Sequence, residues 1–253
     1  MEFLKRTAFL LSVPRCVACS ERMDYTELPL CPRCYAIYTE CKTRECSRCS
    51  RLLHECSCST YSLESHFVKR VAKVYRYVKT EDISVQNALI YSLKEENRRD
   101  VRRFLAKELS SAITDSGVLE YAAKKKIIIT NIPRRPSAIR EYGYDHAALL
   151  AKEIAQILDL EYVSILRSSS KRAQKKLIAE ERRTEISFKY RRGKDELDLS
   201  DRSVIIVDDV ITTGASMNHA ASLIRALGTR RISAASIAVA YPDSHTEVKT
   251  VRR

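Results

Sequence analysis

The sequence of 253 residues predicts an α/β fold with a doubly wound parallel sheet, preceded by a small domain of a different kind. Three observations predict it. From His66 onward, short β-branched runs alternate with amphipathic segments, the rhythm of strands crossing over to helices. The run Val204 to Val207 leads into paired aspartates and a hydroxyl-glycine turn, placed where open α/β sheets bind ligands. All nine cysteines lie between Cys16 and Cys58, which sets a cysteine-rich domain of residues 1–62 apart from an α/β domain of residues 63–253.

In the first domain, Phe3, Leu4, Thr7, Leu10 and Leu11 share one face of a short amphipathic helix that packs on its own domain. Lys5 and Arg6 ahead of the apolar run Ala8 to Val13 imitate a secretory leader. Pro14 and Arg15 end that run at once, no small-x-small cleavage site follows, and it falls far short of the roughly 20 residues of a membrane span. No membrane insertion is expected.

The second domain opens with a strand at Val71 to Val78, then helices at Ser84 to Leu93 and Arg99 to Ile113. Lys126 to Ile132 (KIIITNI) reads as a buried strand ended by Pro133, with a polar loop and a helix from His146 to Leu158 after it. Tyr162 to Leu166 reads as another strand. Arg167 to Lys194 is dominated by Lys and Arg with few apolar residues, the mark of a mobile stretch. Val204 to Val207 is a strand, Met217 to Leu227 a helix closed by Gly228, Ile232 to Ala240 a further strand, and Tyr241 to Arg253 a polar tail.

With 45% apolar and 30% charged residues the chain can bury a real core, and its net charge of +13 suggests an anionic partner. Nucleic acid, phosphorylated metabolites and acidic lipid headgroups all qualify.

Cys16-x-x-Cys19 with Cys31-x-x-Cys34 supplies four thiolates in two knuckles, a spacing able to close a tetrahedral zinc site. Cys46-x-x-Cys49 with Cys56-x-Cys58 could make a second, with Cys41 or His54 as substitutes. Four protein ligands leave no open position, so zinc, as one ion or two, is a structural staple here and not a catalyst. An odd number of cysteines in such pairs fits a reducing cytoplasm and excludes a disulfide framework spread over the fold.

VIIVDDVITTGAS, from Val204 to Ser216, is where the chemistry concentrates. Asp208 and Asp209 fall at the carboxyl end of a buried strand, suited to accept hydrogen bonds from vicinal ribose hydroxyls. Thr212, Thr213, Gly214, Ala215 and Ser216 then turn into a helix, presenting hydroxyls and backbone N–H groups at its positive end, which is an anion cradle. The plainer reading of Asp209 and Thr213 is a loop and a helix N-cap.

As a string, VIIVDDVITTGAS resembles the signature of type I phosphoribosyltransferases. That resemblance implies Asp208 and Asp209 on the ribose hydroxyls of phosphoribosyl pyrophosphate, as the catalytic acids if the chain turns over, and Thr212 to Ser216 on its 5′-phosphate. It also implies Mg²⁺ arriving with the pyrophosphate. A cysteine-paired region followed by such a domain resembles the ComF family, whose members help bring in transforming DNA. Leu93-Lys94 with Arg98, Arg99 and Asp100 is similar to that family's Leu-Lys segment. Ile132-Pro133 with Arg134 and Arg135 is similar to its strand-end loop facing pyrophosphate. Arg140 and Tyr142-Gly143-Tyr144-Asp145-His146 stand in place of its Arg-x-Arg-Gly-Phe-Asn-Gln stretch, of which Arg140 and Gly143 match. Arg167, Gln174, Leu177 and Arg182 fit the family's basic loop, whereas Lys171 and Glu185 depart from it.

Within that loop Lys171, Arg172, Lys175, Lys176 and Arg182 could track a phosphate backbone, or form a solvated surface. Only Phe188 and Tyr190 lie near for stacking, so base-specific readout has no support. The expected function is a ComF-like protein that binds ribose phosphate, with single-stranded DNA and DNA-uptake proteins as partners. The alternatives are an active phosphoribosyltransferase of nucleotide salvage or synthesis, and a non-catalytic zinc adaptor.

Overall fold

The computed structural model describes residues 13–24, 28–64, 67–77, 84–122, 126–169 and 187–240. The expected amino-terminal helix, the basic residues 170–186 and the tail from residue 241 fall outside the described residues. In chain order the helices are α1 (Pro32–Lys42), α2 (Tyr61–Glu64), α3 (Val85–Tyr91), α4 (Arg99–Asp115), α5 (Val118–Ala122), α6 (Pro136–Tyr142), α7 (His146–Ile157) and α8 (Ala215–Ala226). The strands are β1 (Val68–Tyr77), β2 (Lys126–Asn131), β3 (Glu161–Tyr162), β4 (Leu166–Ser168), β5 (Phe188–Tyr190), β6 (Arg202–Ile211) and β7 (Arg231–Ala240).

Five strands form a parallel sheet in the order β1-β7-β6-β2-β3. Its central strands are apolar on both faces, because side chains alternate sides and both sides are covered. Ile205 and Val207 of β6 join Ile129, Ala235 and Ile237 beneath α3, α4 and α7, whereas Val204 and Ile206 join Ile128, Ile232 and Ala234 against α8. Helices α8 and α7 each turn a 3.6-period stripe to the sheet, Met217, Ala220, Ala221 and Ile224 in α8 and Leu150, Ala151, Ile154 and Ala155 in α7. The chain moves from β2 outward to β3, then back across to β6 and β7. That reversal puts the crevice at the carboxyl ends of β2 and β6.

The cysteine region is packed on this framework. Tyr38 of α1 lies edge-on to Tyr75 of β1 and donates to Glu108 of α4 at 2.8 Å, and Lys42 pairs with Glu108 at 2.7 Å. Cys16, Cys31, Cys34 and Tyr38 share one apolar core with α3 and α4.

Three expected elements differ in detail. Tyr162 to Leu166 is not one strand: β3 is a two-residue edge against β2, and Leu166 begins β4, which pairs with β5 in a separate antiparallel ribbon. That ribbon gives order to both ends of the stretch expected to be mobile, and Ser169 and Ser187 meet there at 2.8 Å. The helix at Ser84 to Leu93 is regular only to Tyr91, after which Ser92–Glu96 widens into a π-turn. Strand β6 continues beyond Val207 to Ile211, carrying both aspartates inside the sheet.

Ile205 is fully buried at the centre of the sheet. Ile205→Ala is expected to destabilise the fold by about 2–5 kcal/mol, read as a lowered urea midpoint at unchanged slope.

Candidate functional site

Because β6 extends through them, Asp208 and Asp209 are consecutive strand residues at the open crevice. Asp209 is 5% exposed, and its Oδ2 lies 2.6 Å from Lys94 Nζ and 3.6 Å from His146 Nε2. Burial, reinforced by the charges of Arg134 and Lys94, pushes the His146 imidazole down to about 3, so it is neutral and Lys94 supplies the positive charge. Asp208 is half-buried and accepts the Asp209 N–H at 2.9 Å. Burial pushes its carboxyl up to about 7, against the pull of Lys94 and with the push of Asp145.

Lys94 reaches the acids from the π-turn, which ends at Asn97 in the left-handed region with φ 51°. π-turns recur at functional sites because they rotate one residue out of helical register. This one is clamped from outside. Arg134 donates to the carbonyl of Lys94 at 2.9 Å and to that of Tyr144 at 3.1 Å, its guanidinium lying over the rings of Tyr142 and Tyr144. The Tyr144 hydroxyl donates to Leu93 O at 3.3 Å and accepts from Asn97 N at 3.0 Å. Asp145 caps α7 through Ala148 N at 3.1 Å and takes the Arg134 N–H at 3.2 Å.

The structure thus gathers Asp208, Asp209, Lys94, Arg134 and His146 at one strand end. The Arg134 side chain is held by backbone carbonyls and aromatic rings. Arg135 stands at the N-cap of α6 and Arg140 in its last turn, both exposed. Lys171, Arg172, Lys175, Lys176 and Arg182 fall outside the described residues.

After Ile211 the chain turns into α8 with Thr212 and Thr213 exposed and Gly214 at φ 78°. Ala215 and Ser216 open the helix, whose first turn holds no acid, and Ala215 N donates to Thr213 Oγ1 at 3.4 Å. The positive helix end therefore faces the crevice without an internal anion. Helix α2 supports the turn from below: Ser62 Oγ donates to Thr213 O at 3.3 Å and Asn218 Nδ2 to Ser62 O at 3.2 Å. A Cβ on Gly214 would lie 2.8 Å from Leu63 Cδ2, and the φ of 78° strains any other residue, so glycine is favoured there.

The eight expected cysteine ligands form two groups, Cys16, Cys19, Cys31 and Cys34, and Cys46, Cys49, Cys56 and Cys58, each with its sulfurs within 4.8 Å of one another. Zn–S bonds of about 2.3 Å in a tetrahedron place sulfurs about 3.8 Å apart. Cys19 and Cys31 at 3.7 Å fit that spacing, and Cys49 and Cys56 at 3.4 Å approach it. Zinc would supply cross-linking in both. The first CxxC knuckle of each group repeats one geometry: Ser20 N bonds Cys16 O and Ser50 N bonds Cys46 O, with both serines at positive φ. Cys41 and His54 stand outside both groups, and His54 Nδ1 lies 3.2 Å from Lys42 O. At the second group, Lys73 is wholly buried, its Nζ 3.3 Å from Cys56 Sγ and 2.9 Å from Cys56 O. A buried ammonium offsets the negative charge of a tetrathiolate. Burial opposes ionisation of Cys46, but the N–H groups of Arg48 and Cys49 and the Cys56 thiol outweigh it and draw Cys46 down to about 7.

Residues 145–251 match the phosphoribosyl transferase domain. The chain carries a phosphoribosyltransferase domain. Competence protein F of Haemophilus influenzae is 29% identical over 146 residues, 57% of this chain and 63% of that protein, in accord with the ComF resemblance. The chain thus spans less than two thirds of that relative's length. Among solved structures, a purine phosphoribosyltransferase from Pyrococcus horikoshii is 20% identical with a TM-score of 0.36, covering 56% of this chain and 74% of its own. A hypoxanthine phosphoribosyltransferase from Staphylococcus aureus is 15% identical with a TM-score of 0.29, covering 59% and 70%.

In the phosphoribosyltransferase domain the donor set does not fit the Mg²⁺ that the resemblance implies. Asp209 already holds an ammonium, and Asp208 is ionised only from about neutrality upward. Sequence reasoning quoted Lys94 and His146 only as parts of a family segment and gave neither a role at the acids. A basic residue in the Leu-Lys pair was the available signal. Lys73 was missed altogether, because β1 also holds Lys69, Arg70 and Arg76 and only the fold shows which of these cations is buried.

Lys73→Met is expected to loosen the second metal site alone. Wild-type protein should hold two zinc ions by emission spectroscopy, and the variant should fall toward one under mild chelation while its first site stays filled.

Proposed function

We propose that this chain binds a phosphorylated ribose of the phosphoribosyl pyrophosphate type and handles single-stranded DNA during uptake of transforming DNA, as a cytoplasmic protein. One observation carries the ligand: two adjacent acids stand near the carboxyl end of a central strand, before a glycine turn that opens onto a helix whose first turn holds no acid. Asp208 and Asp209 are suited to ribose hydroxyls, and Thr212 to Ser216 to a phosphate. The printed name of the Haemophilus relative supports the competence role, and the net charge of +13 supports a polyanionic partner. Among the described residues no helix is long and apolar enough to cross a membrane. Zinc in the cysteine groups belongs to the same proposal as a staple, and residues 1–62 and 63–253 as its two domains.

Calorimetry with ribose 5-phosphate tests the ligand. Asp208→Asn with Asp209→Asn is expected to weaken binding by about tenfold or more. Asp208 accepts from ribose hydroxyls best when ionised, and its carboxyl titrates near 7, so wild-type affinity should rise from pH 6 to pH 8. The rise should be shallower in Asp208→Asn, where only the phosphate titrates. Equal affinity in wild type and the double variant would sink the assignment and favour the zinc adaptor.

For nucleic acid, single-stranded oligonucleotide titrated against rising salt should bind wild type with a clear salt slope. A chain with Lys171, Arg172, Lys175 and Lys176 changed to alanine should lose both affinity and slope. The same acids and turn are what a salvage transferase needs, and pyrophosphate release over a panel of bases distinguishes that second reading from binding alone.

A further inference from the structure

We propose that Lys94 is the built-in counter-cation of the ribose acids, so that this chain binds ribose phosphates without a divalent cation. The inference rests on the ribose-phosphate reading above and adds to it which cation the site uses. A divalent ion gripped by both Asp209 oxygens would compete for the one that Lys94 already contacts. Lys94 Nζ stands 2.6 Å from Asp209 Oδ2, and Mg²⁺ binds oxygen at about 2.0–2.1 Å with little tolerance for distortion.

The ammonium is placed there by the chain, not by chance of rotamer. Its backbone sits in the π-turn Ser92–Glu96, its own carbonyl is gripped by Arg134 at 2.9 Å, and the carbonyl before it accepts from Tyr144. Removing the charge would leave Asp209, 5% exposed, beside a neutral imidazole and with no other cation in contact among the described residues. A buried carboxylate in that state is strongly disfavoured. Lys94 itself is not sealed off. Its side chain is 37% exposed, and an ammonium has three donors, so contact with Asp209 leaves others for an anionic group of the ligand. Arg134 adds a second fixed positive charge behind the turn, and both charges repel an incoming divalent ion.

The experiment uses the full zinc-loaded chain in resin-treated, magnesium-free buffer, since a chelator would strip the cysteine sites. Ribose 5-phosphate is titrated by calorimetry with and without added Mg²⁺, into wild type, Lys94→Gln and Lys94→Arg, with zinc content and melting checked for each. Ribose 5-phosphate carries no diphosphate and its single phosphate binds Mg²⁺ only weakly, so a strong magnesium effect that differs between wild type and Lys94→Gln reports on the acids. Wild-type affinity should change by less than about twofold on adding Mg²⁺. Lys94→Gln should bind about tenfold more weakly without Mg²⁺ and recover when it is added, whereas Lys94→Arg should keep magnesium independence. Wild type that binds only with Mg²⁺ overturns the inference and leaves the ribose-phosphate reading standing. Lys94→Gln that binds like wild type without Mg²⁺ also overturns it. Wild type that binds in neither buffer overturns the ribose-phosphate reading and the inference with it.

Discussion

Two carboxylates next to each other in the middle of an all-parallel sheet are a burden that the fold must answer. Asp209 is buried among apolar strands, where an unpaired charge is disfavoured by several kcal/mol. Much around it is arranged in response. A π-turn breaks the helix after Tyr91 so that Lys94 reaches the acid, Arg134 spends its hydrogen bonds on holding that turn, and Tyr142 and Tyr144 hold Arg134. Asp208, which makes no ion pair among the described residues, keeps its proton up to near neutrality. Unequal answers for two neighbouring acids give the site one carboxyl group paired with an ammonium and one that titrates near neutrality.

The departures from the ComF stretch take on meaning in this setting. Tyr142, Tyr144, Asp145 and His146 replace the family's arginine, phenylalanine, asparagine and glutamine. Each has a contact: a ring under Arg134, a hydroxyl on the Lys94 turn, a cap for α7 that also takes the Arg134 amide, and an imidazole facing Asp209. These contacts join the stretch into one unit, in which Gly143, with a φ of 82°, ends α6 in the left-handed region.

The fold was largely legible because its strands are apolar on both faces and its helices carry clean stripes. β2, β6, β7, α4, α7 and α8 follow from periodicity alone, and the turn at Thr212 to Ser216 follows from its glycine and hydroxyls. What was illegible is non-local or defies its own pattern. The run Tyr162 to Leu166 looks continuous in sequence, yet its first half pairs with β2 and its end with β5. Helix α6 hides in a polar stretch, started by Pro136 and not by an apolar stripe. The meeting of Lys94 with Asp209 depends on a register change inside a helix and on a strand far along the chain. The cysteine groups were legible by spacing, whereas the buried lysine beneath the second was not, since nothing local announces which strand residue will face the sulfurs.

The contact between helix α2 and the phosphate turn has a consequence for the order of assembly. Ser62 and Thr213 are 151 residues apart, and Leu63 fills the space that any side chain at position 214 would take. Contacts of such separation form late, since a long loop must close before they are rewarded. On a ribosome the knuckles emerge first and wait for the last two strands. The cradle is then completed when α2, which follows the cysteine groups in the chain, docks onto a turn 151 residues later, so the cysteine groups are synthesised before the ligand site can be complete.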